Sequence, residues 1–302
     1  MPQVKNPPGA VDYGLLLLLA AIWGASFLLL KVAVGTIPPA TLTAIRLLIA
    51  ALVLIITARL AREKLTDFKS LWPTIAIAGF FGNAAPFFLI SWGEERIDSA
   101  LAAILMAIMP LTTIMLAHFF TNDEKLNRYK LAGVLLGLIG LVILIGPESL
   151  GKLGDQSIRQ LAVAGAAVCY GINALVTKRL AGQPAWALSS AIIVASAIIM
   201  VPASFLFENP LQISPSMPAI WGTLSLALIQ TALATLVMVT IIKRQGASFF
   251  SQTNFMIPVV GVILGAVFLG ERIGFSALLA LGLILTGIAI TRYGGIWGAR
   301  RD

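Results

Sequence analysis

Residues 13 to 34, 99 to 120 and 247 to 269 each run for around 20 positions with few charges, long enough as helix to cross a hydrocarbon core of about 30 Å. Inside hydrocarbon every backbone polar group must find its partner within the protein, which leaves α-helices and closed barrels as the only spanning structures. The strict alternation a barrel strand needs is absent here. The chain is therefore expected to be an all-α membrane protein. Composition agrees: 59% of residues are apolar, 11% are charged and the mean hydropathy is +0.95, against roughly 25% charged residues in soluble domains.

Polar breaks divide the chain into ten transmembrane helices, near 13–34, 39–59, 71–93, 99–120, 130–146, 158–179, 185–207, 217–242, 247–269 and 274–292. The longest connections, 147–157 and 208–216, are too short to form extra domains, so function must lie within or between helices. With both termini cytoplasmic, fifteen Lys and Arg residues fall on that side and five on the other, with Arg46 inside a span. This is a positive-inside bias, and it predicts a multi-pass protein of the cell inner (plasma) membrane. The same topology accounts for the net charge of +8 without a nucleic-acid partner, since the bases sit in short loops and form no stripe. The opening residues resemble a signal peptide, but apolar sequence continues to Val34 and no small-x-small site precedes a polar start. The first span is expected to be retained.

"IWGASFLLLK" at 22–31 is echoed by "CYGINALVTK" at 169–178, with the aromatic-Gly pair, a leucine and the lysine at an offset of 147. Asn83 and Gln230, Glu124 and Glu271, and Gly140 and Gly287 keep that offset, and Pro110 and Pro258 differ from it by one. Each half holds five spans, an odd number, so a repeated second half must enter the membrane from the opposite side. The expected architecture is two inverted five-helix repeats, 11–146 and 158–292, around a central cavity. Inverted repeats are characteristic of secondary transporters that expose one site alternately to each side.

The Trp-Gly of the first span, "PATLTAIRLLIAALVL" with Arg46 in the second, and "PLTTIMLAHFFTNDEKL" echoed by "PVVGVILGAVFLGERI" resemble the drug/metabolite transporter superfamily, EamA type, over residues 11 to 292. Within it the chain is similar to the YddG-like exporters of aromatic and other neutral amino acids. The resemblance implies a membrane transporter that exports amino acids and related small metabolites by alternating access. A drug or nucleotide-sugar carrier of the same superfamily is the alternative, although no cluster of cavity bases suited to a diphosphate is visible.

Polar side chains inside spans are the default candidates for a binding site, because hydrocarbon penalises them unless they pair or line water. Asn83 with Gln230, and Ser26 with Asn173, are related by the repeat. An amide both donates and accepts, which suits a zwitterion. Trp23 and Tyr170 lie one turn from Ser26 and Asn173; they either stack on a ring or close a gate, or else serve interhelical packing or an interfacial belt. Pro110, Pro258 and Pro86 free the carbonyls of Met106, Asn254 and Gly82, which an ammonium or simple helix bending would use. The candidate substrate-binding residues are thus Trp23, Ser26, Asn83, Met106, Tyr170, Asn173, Gln230 and Asn254. Arg46 either binds a carboxylate or anchors its helix; the resemblance extends to it across exporters of different substrates and favours a structural or gating role, shared with Pro110 and Pro258. Lys31 and Lys178 are expected to snorkel at helix ends.

No Asp or Glu is expected deep in any span, which leaves proton coupling without an obvious carrier and favours movement of substrate down its own gradient. One cysteine and one histidine allow no metal cluster and no catalytic constellation, so no cofactor, metal or catalytic residue is expected. "GPESLGKL" at 146–153 matches a phosphate-binding loop until Leu153 and follows a helix in place of a strand, which argues against nucleotide binding. The GxxxG runs at 133–137 and 261–265 suit close helix contact. The partners expected are an amino-acid substrate and the lipid bilayer, with the protein a monomer.

Overall fold

The computed structural model describes residues 7–63, 70–97, 102, 105–106, 108–122, 125–145, 150–151, 153–154, 156–257, 260 and 275–298, and among these it is helical with no strand. The helices are α1 Ala10–Val34, α2 Pro39–Leu60, α3 Trp72–Glu94, α4 Ile108–Phe120, α5 Arg128–Ile145, α6 Ser157–Arg179, α7 Ala185–Phe207, α8 Met217–Gln245, α9 Ala247–Ser251 and α10 Phe275–Gly298. Residues 253–257, beyond a one-residue turn after α9, are also helical. Six of these, α1, α2, α3, α6, α7 and α8, are long and apolar enough to cross a membrane. Leu17, Leu48, Leu52, Ile56, Ile198 and Phe205 stand exposed along them, as lipid-facing positions do. Pro258, Glu124, Glu271 and the 261–265 glycines lie outside the described residues.

Helix α2 packs along α7, α5 along α10, and α6 against both α3 and α4. The two parts of α1, Ala10–Gly24 and Ser26–Val34, lie against Ala234–Gln245 and Met217–Ala227 of α8 respectively, so these two helices run antiparallel along their length. The α2–α7 pair is fastened at both ends by one device. After α2, Glu63 Oε2 accepts the backbone N–H of Ala187 at 2.8 Å; after α7, Glu208 accepts those of Ala40 at 2.9 Å and Thr41 at 2.6 Å. Each carboxylate thus meets the unsatisfied N–H groups and positive dipole end of the other helix. The GxxxG face of α5 is taken up inside the chain: a Cβ on Gly287 of α10 would stand 2.5 Å from the Gly133 carbonyl, so the two backbones meet only because both positions lack a side chain.

Three helices are interrupted. Helix α1 breaks at Ala25, where the Ser26 hydroxyl donates to the Trp23 carbonyl at 2.6 Å. Helices α3 and α8 each contain a π-helical segment, Phe80–Ala84 and Leu228–Leu233. Such bulges free backbone groups and cluster at functional sites. They hold Asn83 and Gln230, the amide pair singled out by the repeat.

Two expectations need refinement. No Asp or Glu lies deep in a described span, yet two are buried at span ends: Asp12 in the first turn of α1 is 4% exposed and Glu94, the last residue of α3, is 0% exposed. The "GEERID" stretch has the composition of a loop, yet α3 extends to Glu94, and Gly93 lets Val163 of α6 lie against its backbone. Lys31 also has a partner within the protein, for its Nζ donates to the backbone carbonyl of Glu94 at 2.8 Å.

Candidate functional site

A cavity lies between α1, α2, α3, α6 and residues 253–257, walled by Trp23, Ser26, Leu30, Arg46, Phe87, Ile90, Met106, Tyr170, Asn254 and Ile257. The open space at its centre is about 60 Å³, enough for a few waters and too small for an amino acid unless the walls move. Of the eight residues expected to bind substrate, Trp23, Ser26, Met106, Tyr170 and Asn254 are in this wall. Asn83, Asn173 and Gln230 are not.

Those three amides are buried and spent on packing. Asn83 Nδ2 donates to Ser196 Oγ of α7 at 3.3 Å, Gln230 Oε1 accepts from Ser225 Oγ at 3.3 Å, and Asn173 Oδ1 accepts from Thr177 Oγ1 at 3.0 Å, with its Nδ2 against Met238 Sδ at 3.8 Å. Asn83 and Gln230 lie in the π-helical turns of α3 and α8 and meet neighbouring side chains, away from this cavity.

Arg46 is the charge in the wall. Its Nε donates to Thr231 Oγ1, its Nη2 lies 3.4 Å from the Gln230 carbonyl, and its guanidinium stacks 3.8 Å over the Phe87 ring. The π turn makes this possible, since Thr231 Oγ1 donates to the Leu226 carbonyl five residues earlier, at 2.8 Å, and keeps a lone pair for the arginine. Among the described residues no carboxylate pairs with Arg46, although it is 6% exposed. A guanidinium desolvated without a counter-ion is set to receive an anion.

The Pro110 ring removes the helix N–H that would reach the Met106 carbonyl. That carbonyl accepts from Asn254 Nδ2 at 2.9 Å, with Met109 Sδ at 3.2 Å from the same nitrogen. The donor side of Asn254 is thereby committed, leaving Oδ1 as the acceptor it can offer to the cavity. Trp23 and Tyr170 stack with ring centroids 6.1 Å apart, and Phe250 meets Trp23 edge-on at 5.9 Å. Beyond these rings, toward the start of α1, Tyr13 meets Phe249 at 5.4 Å. Asp12 then accepts Arg244 Nε at 2.6 Å, Gln245 Nε2 at 2.9 Å and the Gly9 N–H at 2.9 Å. Sequence reasoning offered Phe87 as part of a soft aromatic lining, and passed over Ile90, Leu30 and Ile257, whose only signal was apolarity, and over Asp12, which lies among loop-like residues.

Comparison with known proteins agrees with this architecture. A probable amino-acid metabolite efflux pump of Salmonella typhimurium is 28% identical over 94% of this chain and 95% of its own length. An uncharacterized transporter of Bacillus subtilis, YoaV, is 27% identical over 90% and 93%, and an uncharacterized inner membrane transporter of Escherichia coli, YedA, 24% over 93% and 90%. A solved crystal structure superposes with a TM-score of 0.74 at 23% identity, covering 94% of this chain and 96% of that one, which speaks to the fold alone. The EamA-like transporter family matches residues 12–146 and again 158–293, nearly the whole chain, and the protein belongs to that family of membrane transporters.

Proposed function

We propose that the protein exports amino acids with aromatic and other neutral side chains across the inner membrane by alternating access, with both termini cytoplasmic and the cavity as the site. One observation carries this reading. Arg46 presents a buried guanidinium with no carboxylate partner to a small cavity whose other walls are the Trp23–Tyr170 stack, Met106, Phe87 and the Asn254 carbonyl oxygen. A carboxylate docks on Arg46, an ammonium on Asn254 Oδ1, and an apolar or aromatic side chain against the rings. Met106 adapts to side chains of different shape. The resemblance favoured a structural role for Arg46; its place in the wall supports a substrate contact instead.

Two relatives named as probable amino-acid metabolite efflux pumps support the substrate class, and one named as an inner membrane transporter supports the location. The excess of bases on one side supports the orientation. The division into inverted repeats, 11–146 and 158–292, is supported by the reciprocal Glu63 and Glu208 caps, by π segments in both α3 and α8, and by the swapped pairings α3 with α6 and α8 with α1.

The test is uptake of labelled Trp, Phe, Met and Thr into liposomes holding the purified protein, with counterflow to show carrier behaviour. Arg46→Ala raises the KM for these substrates by about 10- to 100-fold, as loss of a hydrogen-bonded charge contact does, while the protein still elutes as a folded species. Absence of flux for every amino acid overturns the assignment. Saturable flux of a nucleotide sugar in its place selects the other carrier class of the superfamily.

A further inference from the structure

Further along α1 and α3, away from Asp12, lies a second pocket of about 330 Å³ lined by Lys31, Val34, Gly35, Glu94, Glu95 and Arg96. The two helices connect it to the cavity: Lys31 and Val34 follow Leu30 on α1, and Glu94 lies one turn beyond Ile90 and two beyond Phe87 on one face of α3. Glu94 has no exposed surface, and neither of its carboxyl oxygens has a hydrogen-bond partner among the described residues.

Among the described residues, the cations of α1, α6 and α2 on this side of the cavity are bonded to other groups. From α1, Lys31 gives its Nζ to the Glu94 backbone carbonyl, and no ion pair with the carboxyl forms. From α6, Arg159 donates to the Trp92 carbonyl, pairs with Glu95 at 2.7 Å and lies 3.8 Å over the Trp92 ring. From α2, Arg46 is held by Thr231 and Phe87. Glu95 and Arg96 follow in the chain and line the second pocket. An ionised carboxylate buried without a partner is so costly that the group carries a proton instead, and an ionisable side chain placed so in a membrane span marks an ion or proton path.

We infer that Glu94 is a proton-binding site through which the carrier exchanges a proton for its substrate. The inference rests on the proposed transport of amino acids through the adjoining cavity. With the outer pocket open, the Glu94 carboxyl takes a proton from the external solution; with the cavity open inward, it gives that proton up to the cytoplasmic side. Only the O–H bond forms and breaks. The charge left on Glu94 draws the Lys31 ammonium, which is held on the same residue's backbone carbonyl, so Lys31 leaves that carbonyl for the carboxylate and shifts α1 against α3. Binding of proton and of substrate are then linked, each weakening the other by the same factor.

The experiment loads liposomes with labelled amino acid and follows efflux with and without an inward pH gradient, beside counterflow at equal pH. A one-unit gradient is worth a factor of ~10 for one-to-one exchange, so the wild type moves substrate against a gradient of up to about that size. Glu94→Gln, which keeps the shape and cannot carry the proton, loses the response to pH and retains counterflow within about twofold. Flux in the wild type that ignores the pH gradient overturns the coupling and leaves the transport reading intact; no flux at all overturns both. An unchanged pH response in Glu94→Gln, or a response to sodium in place of protons, overturns the site. A readout independent of any variant is the addition of Trp to wild-type protein in weakly buffered detergent containing a pH dye: release of about one proton per chain supports the coupling, and none overturns it.

Discussion

The two ends of the cavity each bury a carboxyl group from the first half of the chain and treat it in opposite ways. At the end that the proposed orientation makes the inner one, Asp12 is satisfied three times over, and behind it stand two layers of rings, Tyr13 with Phe249 and Trp23 with Tyr170 and Phe250. At the outer end Glu94 is deeper and has no partner, while Lys31 and Arg159 beside it bond to backbone carbonyls. A satisfied network holds one geometry, whereas an unsatisfied buried group raises the energy of the state that contains it and favours a change. On the proposed alternating-access reading, the Asp12 end is therefore the gate held shut here, and the Glu94 end is the one arranged to move.

The largest effect is expected from reversing the inner charge. In Asp12→Arg two guanidinium groups face each other where an ion pair stood, and the Gly9 N–H and Gln245 amide lose their acceptor. Hydrogen bonds to a charged group are worth about 1.5–3 kcal/mol each, so the closed inner end loses more than ~10-fold in population. A cysteine in place of Leu30, in a Cys169→Ser background, should then react more than ~10-fold faster with a membrane-impermeant maleimide supplied from the cytoplasmic side. An unchanged rate would mean that the ring layers alone keep this end shut.

Trp23→Ala isolates those layers. It removes one stacked and one edge-on contact, each worth about 0.5–1.5 kcal/mol beyond burial, and leaves Asp12 and Arg244 in place. Cytoplasmic labelling should rise by roughly 5- to 10-fold, less than for the charge reversal. The KM for Trp should rise more than that for Thr, because the indole also supplies the surface on which a substrate ring rests. Equal rises for both would reduce Trp23 to a gate without a role in recognition.

The outer end should respond more weakly to loss of its cation. Lys31→Met deletes a single contact from a partly solvated side chain, and such contacts contribute little. Labelling of a cysteine at Val34 from the external side is expected to rise only ~3-fold, while the response of efflux to the pH gradient weakens without vanishing, because Glu94 can still exchange its proton but its carboxylate loses the Lys31 cation. A fall in labelling would show that Lys31 holds that end open.

How much of this was legible beforehand follows from where each signal resides. The spans and the offset of 147 are one-dimensional, carried by apolar run length and by a few non-apolar positions. Arg46 stood out as a charge inside a span, but Thr231, which makes its placement possible, lies 185 residues away and became available only through a π turn that no local pattern announces. Pro110 indicated a freed carbonyl at Met106, and sequence had no means of showing that Asn254 would cap it. Glu94 was hidden by its company: two acids and an arginine after a glycine have loop composition, and burial came from α6 approaching across Gly93. What failed in each case was the direction of a side chain, which tertiary packing decides.

The smallest effect on transport is expected where the sequence pointed most firmly. Asn83→Ala deletes the 3.3 Å hydrogen bond to Ser196 and touches neither end of the cavity nor its wall. Ser196 Oγ still donates within the helix system, to the Ile192 or Gly79 carbonyl, so little is left unsatisfied. A net loss of about 1 kcal/mol should lower the melting temperature by roughly 2–4 °C while the KM for Trp and the labelling rates at both ends stay within about twofold. Because Asn83 and Gln230 occupy matching π turns, Gln230→Ala should behave alike in stability, yet its backbone carbonyl stays in place to hold Arg46. A tenfold rise in KM for Asn83→Ala would mean that α3 rotates during the cycle and turns this amide into the cavity, which would make the π turn a hinge that serves both ends.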